Sequence, residues 1–271
     1  VKLQFAEIKE KDSNGSEVGK NTSTPHTFST FANQSFSVSN TTDAEYQNIT
    51  AIMFNFNANL APINATLLTS VYIFKKDGNI TDANETTNIK VGNVKFIINI
   101  MKWKFCGSSG VICGQGSASE VGKYIDFGIV ISGNRSASNA TKGTSDGDVY
   151  NLGGGAGIIL SKKVRYDDQN WTNMTTGYPT MTTTGESQMF TFRLEKFNSS
   201  ALFSITVAIG GFDGANGNSI DGNGTTISTT VGGNGTTVRP TGGGNSGNTL
   251  SLSFLLAFPV ISLFYFLFNR M

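Results

Sequence analysis

The chain has 271 residues, enough for one large domain or two small ones, of which 38% are hydrophobic and only 14% charged. Twenty Lys and Arg against nineteen Asp and Glu leave a net charge of +1 and no block of like charge, which excludes an electrostatic footprint for nucleic acid or an anionic membrane surface. Something other than charge must therefore keep the chain soluble, and Val1 in place of a methionine fits a leader that has been removed.

The body reads as β-structure, because apolar residues recur at period two in short runs separated by Gly, Asn, Asp and Ser. LQFAEI (3–8) puts Leu3 and Phe5 on one face, and HTFSTFANQSFSV (26–38) follows with Phe28, Phe36 and Val38. TAIMFNFNANL (50–60) alternates Ile52, Phe54 and Phe56 with Met53, Asn55 and Asn57. ATLLTSVYIFKK (65–76) sets Leu67, Val71 and Ile73 opposite Leu68, Tyr72 and Phe74, before a turn at Lys76, Asp77 and Gly78. In NVKFIINIMKWKF (93–105), Val94, Phe96, Ile98 and Ile100 oppose Ile97, Met101, Trp103 and Phe105, so this strand is expected mid-sheet with both faces covered.

Cys106 and Cys113 come next, and they are the only cysteines. Six residues separate them, four of them Gly or Ser, so a small disulfide-closed loop is expected in an oxidising compartment. A redox dithiol wants C-x-x-C and a zinc site wants four ligands, and neither pattern is here. KYIDFGIVIS (123–132), GIILSKKVRY (157–166), SQMFTFRLEKF (187–197) and ALFSITVAIG (201–210) complete some nine strands over 210 residues, with long excursions at 133–156 and 167–186. The expected fold is all-β, a single antiparallel β-sandwich of jelly-roll or Greek-key type over 1–210.

Solubility is supplied by N-x-[ST] glycosylation acceptors. They fall at Asn14, Asn21, Asn33, Asn40, Asn48, Asn64, Asn79, Asn84, Asn134, Asn139, Asn170, Asn173, Asn198, Asn223 and Asn234. That is fifteen, whereas 27 Asn and a Ser plus Thr fraction of 58/271 give about six by chance, so passage through a secretory pathway is expected.

From 211 to 249 the apolar pattern stops, and Gly, Ser, Thr and Asn form a stalk that cannot bury enough apolar area to offset chain entropy. The chain then ends on NTLSLSFLLAFPVISLFYFLFNRM, with a nineteen-residue run from Leu250 to Phe268 that is mostly apolar. A spanning helix needs about 20 apolar residues and usually basic anchors, but only Arg270 follows the run and Pro259 sits at its middle. A glycosylphosphatidylinositol signal needs small residues, a polar spacer and a terminal apolar tail. Gly233, Asn234 and Gly235, with Asn234 as the candidate attachment residue, followed by 236–249 and 250–268, satisfy that order. The anchor signal is the favoured reading, with a C-terminal single-span hydrophobic helix as the alternative, and either attaches the head to the outer face of a cell.

Catalytic chemistry is hard to assemble from these residues. His26 is the only histidine, which removes multi-His metal sites, and Asp126 and Glu195 are the polar positions of alternating strands. LGGGAGII (152–159) lacks the G-K-[ST] of a phosphate loop and reads as a bulge at a strand start. TSDGDVY (144–150) and GFDGANGNSIDGNG (211–224) scatter oxygen ligands without the full calcium-loop order. No cofactor, no metal and no enzymatic activity are expected.

KVGNVKFIINIMKWKFCG followed by VGKYIDFGIVISG runs as a long alternating strand into W-x-F-C, a short cysteine loop and G-K-Y-[IL]-[DE]-F, with a later Gly-rich stretch before Leu-Ser-Lys. Over residues 60–210 this resembles extracellular proteins of cnidarians, including membrane-attached members of coral skeletal organic matrix. The resemblance implies a secreted or membrane-bound ectodomain. A matrix role often comes with acidic composition, and nineteen acidic against twenty basic residues depart from that. The expected function is that of a non-enzymatic, N-glycosylated surface or extracellular-matrix protein in adhesion or a mineral-associated role. Its partners would be the membrane, through the tail, and other matrix or cell-surface components. The alternative is a receptor-like module for a sugar or lipid, using Trp171 and Tyr178 in the long loops.

Overall fold

The computed structural model describes residues 2–208 apart from 20–25, 30, 32–33, 35, 61–62, 84, 109–112, 114–120, 133–139, 142–146, 154–155 and 185–186. The expected stalk and tail, the candidate Asn234 and the sequons at Asn21, Asn33, Asn84, Asn134, Asn139 and Asn223 lie outside the described residues. Among the described residues no helix is long and apolar enough to cross a membrane.

Every regular element described is a strand. The first half holds β1 (Lys2–Lys11), β2 (Thr27–Phe28), β3 (Phe36–Val38), β4 (Thr42–Tyr46), β5 (Ile49–Leu60), β6 (Ala65–Phe74), β7 (Gly78–Asp82), β8 (Glu85–Ile89) and β9 (Val94–Met101). The second holds β10 (Tyr124–Ser132), β11 (Ala140–Thr141), β12 (Gly147–Gly153), β13 (Ala156–Ser161), β14 (Lys163–Tyr166), β15 (Trp171–Asn173), β16 (Thr180–Thr184), β17 (Ser187–Glu195) and β18 (Ser200–Ala208). One sheet has five strands in the order β16-β17-β10-β1-β2. The other has eleven, with a path β11-β12-β13-β18-β9-β6-β5-β3, where β14 also pairs β18 and β15, and β4 also pairs β5. All pairings are antiparallel, and β7 with β8 forms a separate hairpin.

The period-two pattern places the core. In β10, Ile125, Phe127, Ile129 and Ile131 point inward, as do Phe190, Phe192 and Leu194 of β17 and Phe96, Ile98 and Ile100 of β9. Rings meet across the sheets, Phe127 against Phe203 at 5.7 Å, Phe192 against Phe203 at 4.8 Å and Tyr150 against Phe190 at 4.9 Å. The arrangement is sandwich-like, and each such side chain removed from water contributes about 1.5–3 kcal/mol before chain entropy is subtracted.

The β7–β8 hairpin covers part of the larger sheet's second face, over β5 and β6, and meets β9 at Lys95, while Ile97 and Met101 on that face of β9 stay half-buried. Ile80 and Ile89 pack on Ile49, Ala51 and Phe74, and Lys95 of β9 reaches Asp82 of the hairpin at 2.6 Å. The alternation that assigns Trp103 and Phe105 to this outer face fails at Lys102, whose φ of 59° interrupts the extended backbone. Both aromatic side chains turn into the main core instead, 2% and 1% exposed. The run 157–166 is likewise two strands, since β13 pairs β12 and β18 while β14 pairs β15 and a different part of β18. The glycine stretch before β13 carries a register shift between Asn151 and Gly153, the irregularity its glycines suggest.

Candidate functional site

The densest polar chemistry lies inside the molecule, beneath the cysteine loop. Glu10 of β1 is fully buried because of a register shift between Phe5 and Glu7, which moves Ile8 and Glu10 to the side already used by Leu3 and Phe5. Its Oε2 accepts a hydrogen bond from Trp103 Nε1 at 2.8 Å and lies 2.7 Å from His26 Nδ1, while Oε1 accepts from the Cys106 backbone N–H at 2.7 Å. Backbone bonds close the same knot, with Glu10 N–H donating to His26 O, Val18 N–H to Glu10 O and Gly122 N–H to Cys106 O.

Cys106 and Cys113 form the expected disulfide, with their Cα atoms 5.4 Å apart. A ring nitrogen of His26 and both Sγ atoms lie within 4.8 Å of one another, but the S–S bond consumes the two thiolates a soft metal would need. His26 is thus structural, held between a carboxylate and the Trp103 ring edge at a centroid distance of 6.1 Å. The cluster ties β1, the start of β2, the segment after β9 and the disulfide loop to one carboxylate. Burial leaves it no face toward a substrate.

The signal for Glu10 was present but easy to miss. The spacing of Phe5 to Ile8 is three residues where a regular strand has two, the mark of a bulge that shifts everything after it.

Outside the knot, several charges are paired. Asp126 of β10 receives Arg193 of β17 through two parallel bonds, Nε to Oδ1 at 2.7 Å and Nη2 to Oδ2 at 2.6 Å. The guanidinium lies 4.6 Å from the Tyr178 ring centre and 5.2 Å from that of Tyr124, and the carboxylate raises its pKa further. Lys9, opposite Asp126 in the register, bonds Glu7 at 2.7 Å and Glu17 at 3.4 Å. Glu195 stands across from Tyr124, two positions from Asp126, and its N–H donates to Tyr166 Oη. Trp171 and Tyr178 are not brought to one site: Arg165 covers the first at 5.8 Å in the larger sheet, and Arg193 covers the second in the smaller.

The sequons sort by the same architecture. Asn14, Asn40, Asn48, Asn64, Asn79, Asn170, Asn173 and Asn198 are described, and all eight are exposed. Asn48 and Asn64 sit at φ of 66° and 59°, at the hairpin turns before β5 and β6, where a side chain projects from the sheet. The strands β1, β2, β10, β16 and β17 contain no asparagine at all, so the five-stranded sheet carries no acceptor on its own strands.

The model of the family described as acidic skeletal organic matrix protein matches two overlapping stretches, residues 1–146 and 137–232. The chain belongs to that family. Between them these stretches take in the whole described fold, from β1 to β18, and so the Glu10 knot and the disulfide loop. Family membership implies an extracellular location and a role associated with the matrix of a mineralised structure. The word acidic does not extend to this member, whose nineteen acidic residues are outnumbered by twenty basic ones. No solved structure matches the chain.

Proposed function

We propose that this chain is the N-glycosylated, non-enzymatic head of a skeletal organic matrix protein, attached to the cell surface by its C-terminal tail and acting in adhesion within that matrix. The observation that carries the reading is the exposure of all eight described sequon asparagines on a protein of this family. A strand-rich protein buries some of its asparagines, as Asn93 is buried here at 2% exposure, so uniform exposure of the acceptors favours sites that are used. With charges nearly balanced and several of those described already paired, attached sugars rather than carboxylates would supply hydration and contact with neighbouring matrix.

A composition without acidic excess favours an organic, cohesive role in the matrix over nucleation of mineral by a carboxylate array. Asp126, on the outer face of the smaller sheet, is buried and already engaged by Arg193. No feature favours the sugar- or lipid-binding alternative, because the two aromatic rings it needs are separated and each lies under a guanidinium.

The test is expression of the whole chain in a eukaryotic secretory host, followed by enzymatic removal of N-glycans. The reading expects a loss of many kilodaltons and occupancy at most of the eight exposed sites by peptide mass spectrometry. An unshifted band would sink it. Phosphatidylinositol-specific phospholipase applied to intact cells separates the two forms of attachment, since release marks the lipid anchor and retention the spanning helix.

A further inference from the structure

We propose that β16 is a self-pairing edge, through which two copies of this chain join by antiparallel β16 to β16 hydrogen bonding into one continuous ten-stranded sheet. The strand closes the five-stranded sheet and bonds β17 on one side only, with no pairing on its other side among the described residues. Thr180, Met181, Thr182 and Thr183 are all exposed. An edge of this kind offers a row of unspent N–H and C=O groups, and proteins normally guard such rows with charge, proline, a bulge, short length or attached sugar.

The other terminal strands of the two large sheets are each guarded in one of these ways. β4 carries Asp43 and Glu45, with Asp43 also tied to Lys75. β15 has three residues and holds the sequon Asn173, next to the sequon Asn170. β3 has three residues and runs toward the sequon Asn40, while β2 and β11 have two residues each. β16, by contrast, reads TMTTT, without charge, proline or asparagine, and pairs β17 over five successive positions with no register shift. The nearest acceptors on either side in sequence are Asn173 and Asn198, and no described acceptor lies on the strands of the sheet that β16 borders. Among the described residues β16 is the uncharged edge with no acceptor on it, and that is where a protein partner fits.

The partner is a second copy because the strand is complementary to itself. A twofold axis through Thr182 sets Thr180 opposite Thr184 and Met181 opposite Thr183, so every facing pair includes a β-branched residue and none sets charge against charge. The pairing works whichever alternate set of backbone groups points outward, since an antiparallel dyad can centre on either kind of residue pair. It also covers Met181, one of the few exposed large apolar side chains. An isologous contact of this type closes at two copies, so it builds dimers and not fibres. The proposal rests on the proposed function only in taking the acceptors beside β3 and β15 as glycosylated; the dimer contact itself uses the edge and its backbone, so loss of the sugars and loss of the dimer are separate outcomes.

The dyad makes a sharp prediction for Thr182→Cys. Across an antiparallel pair the Cα atoms lie about 4.5–5.5 Å apart, inside the window for a disulfide, and the native cysteines are already paired. The full-length variant, in mild detergent with oxidised glutathione as electron acceptor, should form a covalent dimer at least tenfold faster than Val91→Cys, an equally exposed thiol in a turn. Light scattering on the unmodified protein should give about twice the chain mass, falling to one chain in Thr182→Lys while the thermal unfolding temperature stays within a few degrees. Equal cross-linking rates for the two cysteine variants, or a single-chain mass for the unmodified protein together with no dyad cross-link, would overturn the proposal. Capture of β16 by another segment of the same chain would produce the same negative result.

Discussion

Gly122 packs so closely on Glu10 that a Cβ added at 122 would stand 1.6 Å from Oε1 and 2.5 Å from Cδ. The carboxylate cannot retreat, because Oε1 holds the Cys106 N–H and Oε2 holds Trp103. Gly122→Ala should therefore cost at least the 1–3 kcal/mol usual for an overpacked core, about the upper end since displacement also breaks charge-assisted bonds. Urea unfolding at neutral pH measures this directly. A loss below about 0.5 kcal/mol would mean that the carboxylate has room to move.

Glu10→Gln sharpens the point. Both carboxylate oxygens face N–H donors, and glutamine offers one oxygen and one NH₂, so whichever way it turns a donor meets a donor. Trp103→Phe removes one donor and leaves the others in place. The expected order of destabilisation is Glu10→Gln above Trp103→Phe, by about 1 kcal/mol, with the disulfide loop loosened in both. Limited proteolysis within 107–112 reports that loosening. If Glu10→Gln unfolds no more easily than Trp103→Phe, the carboxylate is not the hub of the knot.

These two sites also show how far a sequence can be read. Where a strand is regular, as in β10 and β17, the alternation of Ile125, Phe127, Ile129 and Ile131 or of Phe190, Phe192 and Leu194 identifies the core face without ambiguity. Where the backbone departs from two-residue periodicity, the pattern inverts: at the β1 bulge Glu10 goes inside, and at Lys102 the positive φ sends Trp103 and Phe105 to the opposite face. Short polar strands were illegible for another reason. β4, β7, β8 and β16 carry too few apolar residues to show a period, and they exist because a neighbouring strand presents an edge to them.

Asp167 provides a pH-dependent element at the start of β18. Burial pushes its carboxyl up, but N–H donors from Ser199, Asn198 and Ser200 and the Ser199 hydroxyl outweigh it and hold the pKa at about 2, below its ordinary 3.8. A carboxyl depressed on folding stabilises the native state fully above its unfolded value and loses that contribution as pH falls through the folded one. Asp167→Asn keeps the residue's tolerance for its φ of 50° and removes the charge. The variant should be about 1 kcal/mol less stable than the parent at pH 7, a modest figure because the site is partly solvated. The gap should close between pH 4 and pH 2. A constant gap across that range would assign the loss to packing rather than to ionisation.

Asp82 latches the β7–β8 hairpin onto the larger sheet. Its Oδ1 accepts from the Tyr46 hydroxyl and from Gln47 Nε2 at 3.2 Å, and its Oδ2 pairs with Lys95 Nζ at 2.6 Å. Burial, and then the bond to Asp82, push the Tyr46 hydroxyl well above its ordinary range, so it remains a neutral donor. Lys95 is only 3% exposed, and although it also reaches Ser204 Oγ at 3.2 Å, loss of Asp82 removes the opposite charge bonded to it. Asp82→Ala should cost about 3 kcal/mol, the range for breaking one half of a buried pair. Amide hydrogen exchange should speed most in β7 and β8, which are then left with the packing of Ile80 and Ile89 and the two bonds between Gln47 and the Thr81 backbone. Adding Lys95→Met to Asp82→Ala should recover part of the loss, since an apolar side chain needs no counter-charge there. Hairpin amides as protected in Asp82→Ala as in the parent would show that Ile80, Ile89 and the Gln47–Thr81 bonds hold the hairpin without the latch.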